Sequence, residues 1–344
     1  MQSNQIKVKK CGKILALLLV TVLLCPCLFA CSSNKKNLRA VGTVGNYDVC
    51  YEELRWLTLQ YKDLLASTYG KDIWKNNDTA EQYREELYDA VYKSIVSNYA
   101  ILSLCDDDIL KLNGEKTVDI NSTEVQDIVQ QYVDQTISEA GSKSAYEAKL
   151  KSLYMTDHLY RFIYGVDICE TLLFNSYCNL TIIDDSDQAA IDYIYKNFIR
   201  TVHIYIQNDP KDDVESNRAT AEAVRVKLLN GEDINALVAK YSEDKYMTTS
   251  DGYYFTHGRY SKAYEDAAFA LEVGQVSPVV ETYSGFYVIK RMELDANYIG
   301  THFAKELKQQ YLLAVFDEIV NKRKAELSFT PNEYGESLDL TQMK

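Results

Sequence analysis

Proline and glycine are scarce in this chain. Its 344 residues include four prolines and fourteen glycines. A β fold with many tight turns needs more of both, because these residues adopt the backbone conformations that turns require. The scarcity therefore argues against such a fold and favours long helices. Even without its first 30 residues the chain exceeds one average domain, so we expect two structural units.

The sequence also lacks the short motifs that mark common catalytic and metal sites. It has no glycine-rich phosphate loop, no nucleophile elbow and no carboxylate pair with catalytic spacing. No CxxC pair and no cysteine–histidine spacing of a metal site occurs. We therefore expect neither a metal nor a cofactor.

Basic residues are outnumbered by acidic ones. The chain has 37 lysines and arginines against 50 aspartates and glutamates, a net charge of −13. Proteins that bind nucleic acid present basic surfaces to the phosphates, so this balance argues against a nucleic-acid partner. An acidic surface keeps an extracellular protein soluble and can favour basic clients, although an ordinary solvated surface is the simpler explanation.

The N-terminus has the pattern of a lipoprotein signal. Lysines precede an apolar run over residues 14–24, and Leu28-Phe29-Ala30-Cys31 follows. Signal peptidases need a small residue before the cleavage site, which Ala30 supplies and which Cys25 and Cys27 lack. We expect a signal peptide over residues 1–30 and a lipid on Cys31. A plain secreted protein and an uncleaved transmembrane helix are the alternatives.

Lipidation of Cys31 would anchor the protein to the cell membrane at its extracytoplasmic face, because two or more acyl chains bind stably. Residues 31–40 would then form a polar tether. Loss of four signal-peptide lysines would bring the net charge to −17.

Four cysteines remain after the signal and the lipid acceptor are set aside: Cys50, Cys105, Cys169 and Cys178. Outside the cytoplasm such residues can pair. If the last two lie on one helix, however, they are roughly 13 Å apart, beyond the reach of a disulfide. We expect free and mostly buried thiols.

Apolar residues recur with helical spacing on both sides of a central segment. From residue 51 to about residue 197 the pattern predicts one helix after another, and Asn121-Ser122-Thr123-Glu124 supplies capping residues for one of them. Residues 297–327 show the same spacing near the C-terminus. The first of these stripes consists of Leu54, Leu57, Tyr61, Leu64 and Leu65.

The central segment carries a series of spaced motifs, in order Val202-His203-Ile204, residues 239–244 (AKYSED), residues 264–271 (YEDAAFAL), residues 274–279 (GQVSPV) and residues 285–290 (GFYVIK). This series resembles the parvulin-type peptidyl-prolyl isomerases over roughly residues 198–294. We expect strands at 201–207, 253–255, 279–282 and 286–292, and helices at 215–230, 233–241 and 263–271. The resemblance implies a small antiparallel sheet surrounded by helices.

The resemblance also implies the residues of a catalytic site. His203 matches the family's first histidine, on the opening strand under the site. Asp244 matches a cysteine or aspartate beside the reacting carbonyl. Thr282 and Ser284 stand where the family has small hydroxyl residues.

Three aromatic residues match the proline pocket. Tyr260 stands where the family has methionine or leucine, Tyr264 where it has phenylalanine, and Phe255 matches an aromatic residue on the central strand. We expect these three side chains to bind the substrate.

Two positions depart from the family pattern. The second histidine is replaced by Tyr287, so the usual pair of histidines cannot form, although a tyrosine can still donate and accept a hydrogen bond. We count Tyr287 among the catalytic candidates for that reason. The usual Gly-Gly-Asp-Leu-Gly turn reads Thr249-Ser250-Asp251-Gly252-Tyr253.

Upstream, residues 41–48 form a strand-like opening with a turn, which is similar to the start of PrsA-like and SurA-like foldases. That similarity implies an α+β fold of three parts. Residues 41–197 would form a helix-rich chaperone-like domain, residues 198–294 an inserted parvulin-like domain, and residues 295–344 a last helix, packed on the helical domain, with a tail.

The sequence therefore predicts a lipid-anchored extracytoplasmic foldase that isomerises Xaa-Pro bonds in unfolded or nascent secreted proteins. The main alternative is a non-catalytic holdase whose parvulin-like domain only binds peptide. A third class, an adhesin or solute-binding lipoprotein, lacks any ligand motif. The many tyrosines, 28 against ten phenylalanines, suit a wet peptide groove as well as ordinary helix packing. The broad apolar faces of the helical part are compatible with a homodimer.

Overall fold

The structure is a computed structural model that describes residues 38–106, 118–181, 183, 187–208, 213–247 and 251–344. The predicted signal peptide, Cys31, and Thr249 and Ser250 of the altered turn lie outside the described residues. The α-helices of the described part are α1 (Tyr51–Tyr69), α2 (Asn77–Gln82), α3 (Arg84–Cys105), α4 (Thr123–Ala140), α5 (Lys143–Ser152), α6 (Asp157–Leu180), α7 (Gln188–Asn197), α8 (Val214–Leu229), α9 (Ile234–Tyr241), α10 (Lys262–Ala270), α11 (Ala296–His302), α12 (Lys308–Glu326) and α13 (Glu333–Glu336). The strands are β1 (Ala40–Val44), β2 (Tyr47–Cys50), β3 (Ile199–Gln207), β4 (Tyr253–Phe255), β5 (Val280–Thr282), β6 (Gly285–Met292) and β7 (Phe329–Pro331).

The predicted helix-rich α+β fold class is confirmed. Strands β3 to β6 and helices α8 to α10 begin and end within two residues of their predicted positions. The C-terminal helix is present but interrupted, because a π-helical turn at Phe303–Leu307 separates α11 from α12. The strand-like opening is a hairpin, in which β1 pairs antiparallel with β2.

Aspartate caps explain where several helices begin. The side chains of Asp187, Asp213, Asp233 and Asp295 accept hydrogen bonds from backbone N–H groups in the first turns of α7, α8, α9 and α11. Those N–H groups have no partner within the helix, so a carboxylate before the first turn stabilises the helix start.

The chain divides into two compact units. Among the described residues, the first comprises the chain up to Ile95, Ile128–Tyr164 and Thr330–Lys344, and the second comprises Val96–Asp127 and Gly165–Phe329. The boundaries of these units differ from those of the predicted domains at 41–197, 198–294 and 295–344. The domain boundaries therefore stay a prediction.

In the first unit a buried lysine holds the C-terminal residues. Strand β1 lies between β2 and β7 in a three-stranded sheet. Lys62 on α1 donates hydrogen bonds to the carbonyl oxygens of Thr341 and Met343 at 2.6 and 2.8 Å. Its ammonium group also lies 5.2 Å from the centre of the Trp74 ring, a cation–π distance. These contacts satisfy a charge that would otherwise be costly to bury.

In the second unit helices from both sides of the central segment share a core. Ala190 and Ile194 of α7 pack with Ile299 of α11 and Leu312 of α12. Tyr254 of β4 belongs to the same cluster, and its ring stacks on Tyr298 at 4.2 Å between centroids. The C-terminal helices thus pack on α7 within one unit.

The central segment forms a four-stranded antiparallel sheet with the order β4-β3-β6-β5. Alternate residues of β3 face opposite sides, as a strand requires. Val202, Ile204 and Ile206 pack against α8 and α9 in one apolar core. Ile199 belongs to a second cluster on the opposite face, together with Phe255 and with Tyr264 of α10.

Among the described residues Cys50, Cys105, Cys169 and Cys178 form no disulfide, with Cys105 and Cys169 buried and Cys50 and Cys178 half-buried. Cys169 and Cys178 lie on the same helix, α6, which is the condition under which their spacing excludes a disulfide between them. Over the part of the chain that the structure describes, no helix combines the length and apolarity needed to cross a membrane.

Two glycines with positive φ angles differ in how closely the neighbouring backbone approaches them. Gly252 and Gly258 have φ angles of 70° and 82°. A Cβ at Gly252 would lie 2.3 Å from the carbonyl oxygen of Thr201, whereas a Cβ at Gly258 would meet nothing within 4 Å. Gly258→Ala should cost only the conformational strain, about 1 kcal/mol of unfolding free energy. Gly252→Ala should cost about 2 kcal/mol more, because β3 must shift.

Urea unfolding of the two variants measures this difference. Equal losses of stability in both would contradict the close approach of β4 to Thr201.

Candidate active site

The face of the sheet opposite α8 and α9 presents polar and aromatic side chains. Thr201, His203 and Tyr205 alternate along β3, between the apolar residues of the core. Tyr253 on β4 lies opposite Thr201 in the register, and Tyr287 on β6 lies opposite Tyr205. The pairing of three strands thus gathers these five side chains on one surface.

The loop after α9 brings Asp244 to this surface. Tyr205 donates its N–H to the hydroxyl of Ser242 at 3.1 Å and accepts the N–H of Glu243 at 2.8 Å. Further back, the N–H of His203 lies 3.2 Å from the sulfur of Met247. The loop therefore makes hydrogen bonds to the part of β3 that does not pair with β4. These bonds fix Asp244 beside His203.

His203 is held at both ring nitrogens. Its Nε2 lies 3.1 Å from Oδ2 of Asp244, and its Nδ1 lies 2.9 Å from the hydroxyl of Tyr264. The side chain is 2% exposed. The tyrosine rings around it include Tyr253, stacked at 5.6 Å, and Tyr287, edge-on at 5.1 Å. His203 is thus a buried, fully bonded group under the site.

Asp244 is the charged group of the site. Burial opposes its ionisation, but hydrogen bonds from His203, from the N–H of Tyr246 and from the hydroxyl of Tyr253 outweigh burial and lower the pKa of Asp244 to about 2. Tyr253 donates to Oδ2 at 2.9 Å, and the N–H of Tyr246 donates to Oδ1 at 2.9 Å. A carboxylate with three donors stays ionised at neutral pH.

Tyr264 makes hydrogen bonds both to His203 and to Thr201, near the start of β3. Its hydroxyl lies 2.9 Å from Nδ1 of His203 and 2.9 Å from the hydroxyl of Thr201. The side chain is 2% exposed, and burial raises the pKa of Tyr264 well above its ordinary value. The phenol is therefore neutral and always has a proton to donate.

Tyr287, the residue at the position of the second family histidine, makes ring contacts with its neighbours. It stacks on Tyr205 at 4.5 Å and meets Tyr264 edge-on at 5.2 Å. Its hydroxyl lies near the side chains of Ser284 and Tyr205, and burial raises its pKa. The ring nitrogens of His203 bond to Tyr264 and Asp244.

The three predicted pocket residues are adjacent. The ring of Tyr260 lies 4.7 Å from that of Phe255 and 5.0 Å from that of Tyr264, measured between centroids. Phe255 is 1% exposed, so it forms the floor, whereas Tyr260 is half-buried. Burial raises the pKa of Tyr260.

A buried glutamate holds the loop that carries Tyr260. Glu265 on α10 accepts hydrogen bonds from the backbone N–H groups of Gly258, Arg259 and Tyr260 at 3.0, 2.6 and 2.8 Å. Because three donors converge on one carboxylate, the loop is fixed relative to α10 and to the pocket.

The two small hydroxyl residues lie at the turn between β5 and β6. The hydroxyls of Thr282 and Ser284 are 3.3 Å apart, and Thr282 also donates to the carbonyl oxygen of Gly285 at 2.9 Å. Ser284 is exposed, and its carbonyl oxygen accepts the hydroxyl of Tyr205 at 2.7 Å. The side chain of Tyr205 thus links this turn to β3.

Sequence reasoning missed Thr201, Tyr205 and Tyr253, which contact the predicted residues directly. The period of two along β3 and β4 was the signal for them, because residues two positions from His203 or Phe255 face the same side. Met247 gave no such signal, since a loop determines its position. Among the described residues no cluster of three or more potential metal ligands occurs.

Comparisons with known proteins agree with this geometry. The family model described as rotamase, PPIC-type PPIASE domain, matches residues 203–293. That range contains the predicted site residues from His203 to Tyr287. These residues therefore form a domain of the PPIC-type peptidyl-prolyl isomerase family, and the resemblance predicted from the motifs is confirmed.

The chain is similar to the foldase protein PrsA of several bacteria. It is 22% identical to that of Caldanaerobacter subterraneus over 325 residues, which cover 90% of this chain and 94% of the relative. It is 37% identical to that of a Geobacillus strain over 110 residues, which cover 30% of this chain and 36% of the relative.

A solved structure of PrsA from Bacillus anthracis aligns over 67% of this chain and 94% of its own, with 17% identity and a TM-score of 0.28. PrsA from Streptococcus pneumoniae aligns over 84% and 93%, with 16% identity and a TM-score of 0.33.

The lowered pKa of Asp244 predicts an acid-dependent contribution to stability. The unfolded chain has an aspartate pKa near 4, and the folded value is about 2. Because the folded pKa is the lower one, ionised Asp244 stabilises the fold fully at a pH above the unfolded pKa. This contribution is lost as the pH falls through the folded pKa. Asp244→Asn should thus reduce the unfolding free energy by about 1–2 kcal/mol at pH 6.

Urea unfolding of both proteins between pH 6 and pH 2.5 tests this. The difference between them should shrink below pH 4. A difference that is constant over the whole range would show that Asp244 is not stabilised as an anion.

Proposed function

We propose that this chain is a lipid-anchored extracytoplasmic foldase whose parvulin-type domain catalyses cis–trans isomerisation of Xaa-Pro bonds in unfolded secreted proteins. The observation that carries the enzymatic part is the contact of buried His203 with half-buried Asp244, whose ionised carboxylate lies next to a pocket of aromatic rings. The position of this pair in a PPIC-type domain supports the reaction class.

The reaction breaks no bond, so the site has to favour a twisted amide. Resonance sets a barrier of roughly 18–20 kcal/mol to rotation of a peptide bond, and uncatalysed exchange at proline takes tens of seconds or longer. The twisted amide is less polar than the planar one. A pocket lined by Tyr260 over Phe255 removes water and therefore favours the twisted state.

The carboxylate of Asp244 contributes through its charge. In a planar amide the carbonyl oxygen carries negative charge by resonance, and twisting returns part of that charge to the nitrogen. An anion beside the oxygen repels it more in the planar state than in the twisted one, which lowers the barrier. The hydrogen bonds from His203, Tyr246 and Tyr253 keep the carboxylate ionised and fixed in place.

The cellular part of the proposal rests on the sequence and on the relatives. Residues 1–31 have the pattern of a lipoprotein signal and a lipid acceptor, which corresponds to a membrane-anchored protein at the extracytoplasmic face. The similar proteins are named foldases, so the clients would be unfolded or nascent secreted chains. A homodimer belongs to the same proposal, and gel filtration of a soluble form tests it.

Tyr287 favours a second candidate, a holdase that binds peptide without catalysis. It stands where the family has a histidine, and its raised pKa keeps it neutral. The tyrosine-lined pocket could then serve for binding alone, since tyrosine offers an apolar face with a polar tip.

Exchange spectroscopy on an Ala-Pro peptide distinguishes the two functions. The chain without residues 1–30 should accelerate cis–trans exchange, and His203→Ala should reduce the acceleration by about 10- to 100-fold, because Asp244 and Tyr264 each lose a hydrogen-bond partner. His302→Ala is the matched control, since that histidine lies on α11 and stacks on Tyr298.

Peptide binding without acceleration by the wild-type chain would contradict the enzyme and support the holdase. Equal losses in the His203 and His302 variants would contradict the assignment of the site. A chain that neither binds the peptide nor suppresses aggregation of an unfolded protein would contradict both functions.

A further inference from the structure

We infer that Tyr264 is the positioning residue of His203: its hydroxyl donates a hydrogen bond to Nδ1 and fixes the ring plane of the histidine, so that Nε2 directs its proton at Asp244. Sequence reasoning assigned Tyr264 only to the wall of the proline pocket. The inference deepens the proposed function, on which its relevance to catalysis rests, but the hydrogen bonds themselves can be tested without any activity.

The contacts of Asp244 fix one end of the network. Its Oδ1 accepts the N–H of Tyr246, and its Oδ2 accepts the hydroxyl of Tyr253. An ionised carboxylate can only accept hydrogen bonds. The contact of Oδ2 with Nε2 of His203 at 3.1 Å therefore requires the proton to be on Nε2.

That requirement determines the other nitrogen of a neutral imidazole. With the proton on Nε2, Nδ1 is an acceptor, and the group facing it at 2.9 Å is the hydroxyl of Tyr264. Tyr264 must then donate to His203. Its oxygen remains free to accept from Thr201, whose hydroxyl lies at 2.9 Å. The order of donation runs from Thr201 through Tyr264 and His203 to Asp244.

Burial gives this order its strength. His203 and Tyr264 are each 2% exposed, so water cannot replace a lost partner. A buried donor or acceptor without its partner is disfavoured by roughly ten- to hundredfold. In the opposite tautomer Nδ1 would donate to the hydroxyl of Tyr264, and Asp244 would face an unprotonated nitrogen.

Tyr287 does not supply the same restraint. Its ring meets His203 at 86° with 5.1 Å between centroids, which is an edge-on packing contact. Its hydroxyl lies instead near Ser284 and Tyr205. Of the two tyrosines on this side of His203, Tyr264 is the one whose hydroxyl lies within hydrogen-bond distance of the imidazole.

Nitrogen-15 NMR of the full chain with labelled histidine tests the inference directly. The chain has four histidines, so His203 can be assigned by a His203→Gln variant. In the wild type, His203 should be in the Nε2–H form, with its Nδ1 signal displaced by an accepted hydrogen bond. Tyr264→Phe removes only the hydroxyl, and we expect that displacement to be lost while Asp244 keeps the proton on Nε2.

Tyr254→Phe is the matched control. Tyr254 is a buried tyrosine whose hydroxyl also makes a hydrogen bond, accepting the N–H of Asp295 at 3.2 Å, but it belongs to the cluster with α7 and α11. Its loss should leave the His203 signals unchanged. In the exchange assay Tyr264→Phe should lower the acceleration by about tenfold, the equivalent of one buried hydrogen bond.

Thr201→Val is a second variant that preserves shape. Because Thr201 donates to Tyr264 in the inferred order, its loss should leave the His203 tautomer as in the wild type. A tautomer change in Thr201→Val would overturn the order of donation, and so would unchanged His203 signals in Tyr264→Phe. If Tyr287→Phe alone removes the displacement of the Nδ1 signal, Tyr287 is the positioning residue instead.

The positioning role of Tyr264 and the isomerase function can fail separately. If the Nδ1 signal responds to Tyr264→Phe as expected while the wild-type chain does not accelerate exchange, the positioning role holds and the isomerase function fails. If exchange is accelerated but the His203 signals do not respond, the function holds and the inference about Tyr264 is overturned.

Discussion

Strand β3 contributes one face to the apolar core and the other face to the candidate site. The rest of the central domain depends on this division. Val202, Ile204 and Ile206 close the apolar core beneath α8 and α9, while Thr201, His203 and Tyr205 face the opposite side. A slip of one residue would exchange the two sets and bury the polar side in the core. The register against β6, with His203 opposite Ile289, therefore fixes both the core and the candidate site.

Burying a polar set beside an apolar core is tolerable only when its members bond to one another. His203, Tyr264 and Thr201 are all nearly inaccessible to solvent, and each has a partner within the set or in Asp244. Such a network stabilises one geometry and penalises alternatives. For the proposed isomerisation, which breaks no bond, that geometry supplies a fixed carboxylate beside aromatic rings.

Much of this could be predicted from the sequence, because periodicity and turn residues are local signals. The elements from β3 to β6 were predicted to within two residues, and His203 and Asp244 were selected by their position in the motifs. The contacts that orient them were not predicted. Tyr264 was expected to wall the pocket, but only the packing of α10 on the sheet reveals that its hydroxyl reaches His203. Met247, the π-helical turn at Phe303–Leu307 and the division into compact units likewise depend on tertiary packing, which a single sequence does not encode locally.

The central claim is that Xaa-Pro segments bind on the His203 face of the sheet. Chemical-shift mapping with an Ala-Pro peptide on the full chain tests it most directly. The account predicts that the largest shifts fall on Asp244, Tyr253, Tyr260 and Tyr287. Shifts concentrated instead on α8 and α9, around Val226 and Leu229, would place binding on the other face and contradict the account.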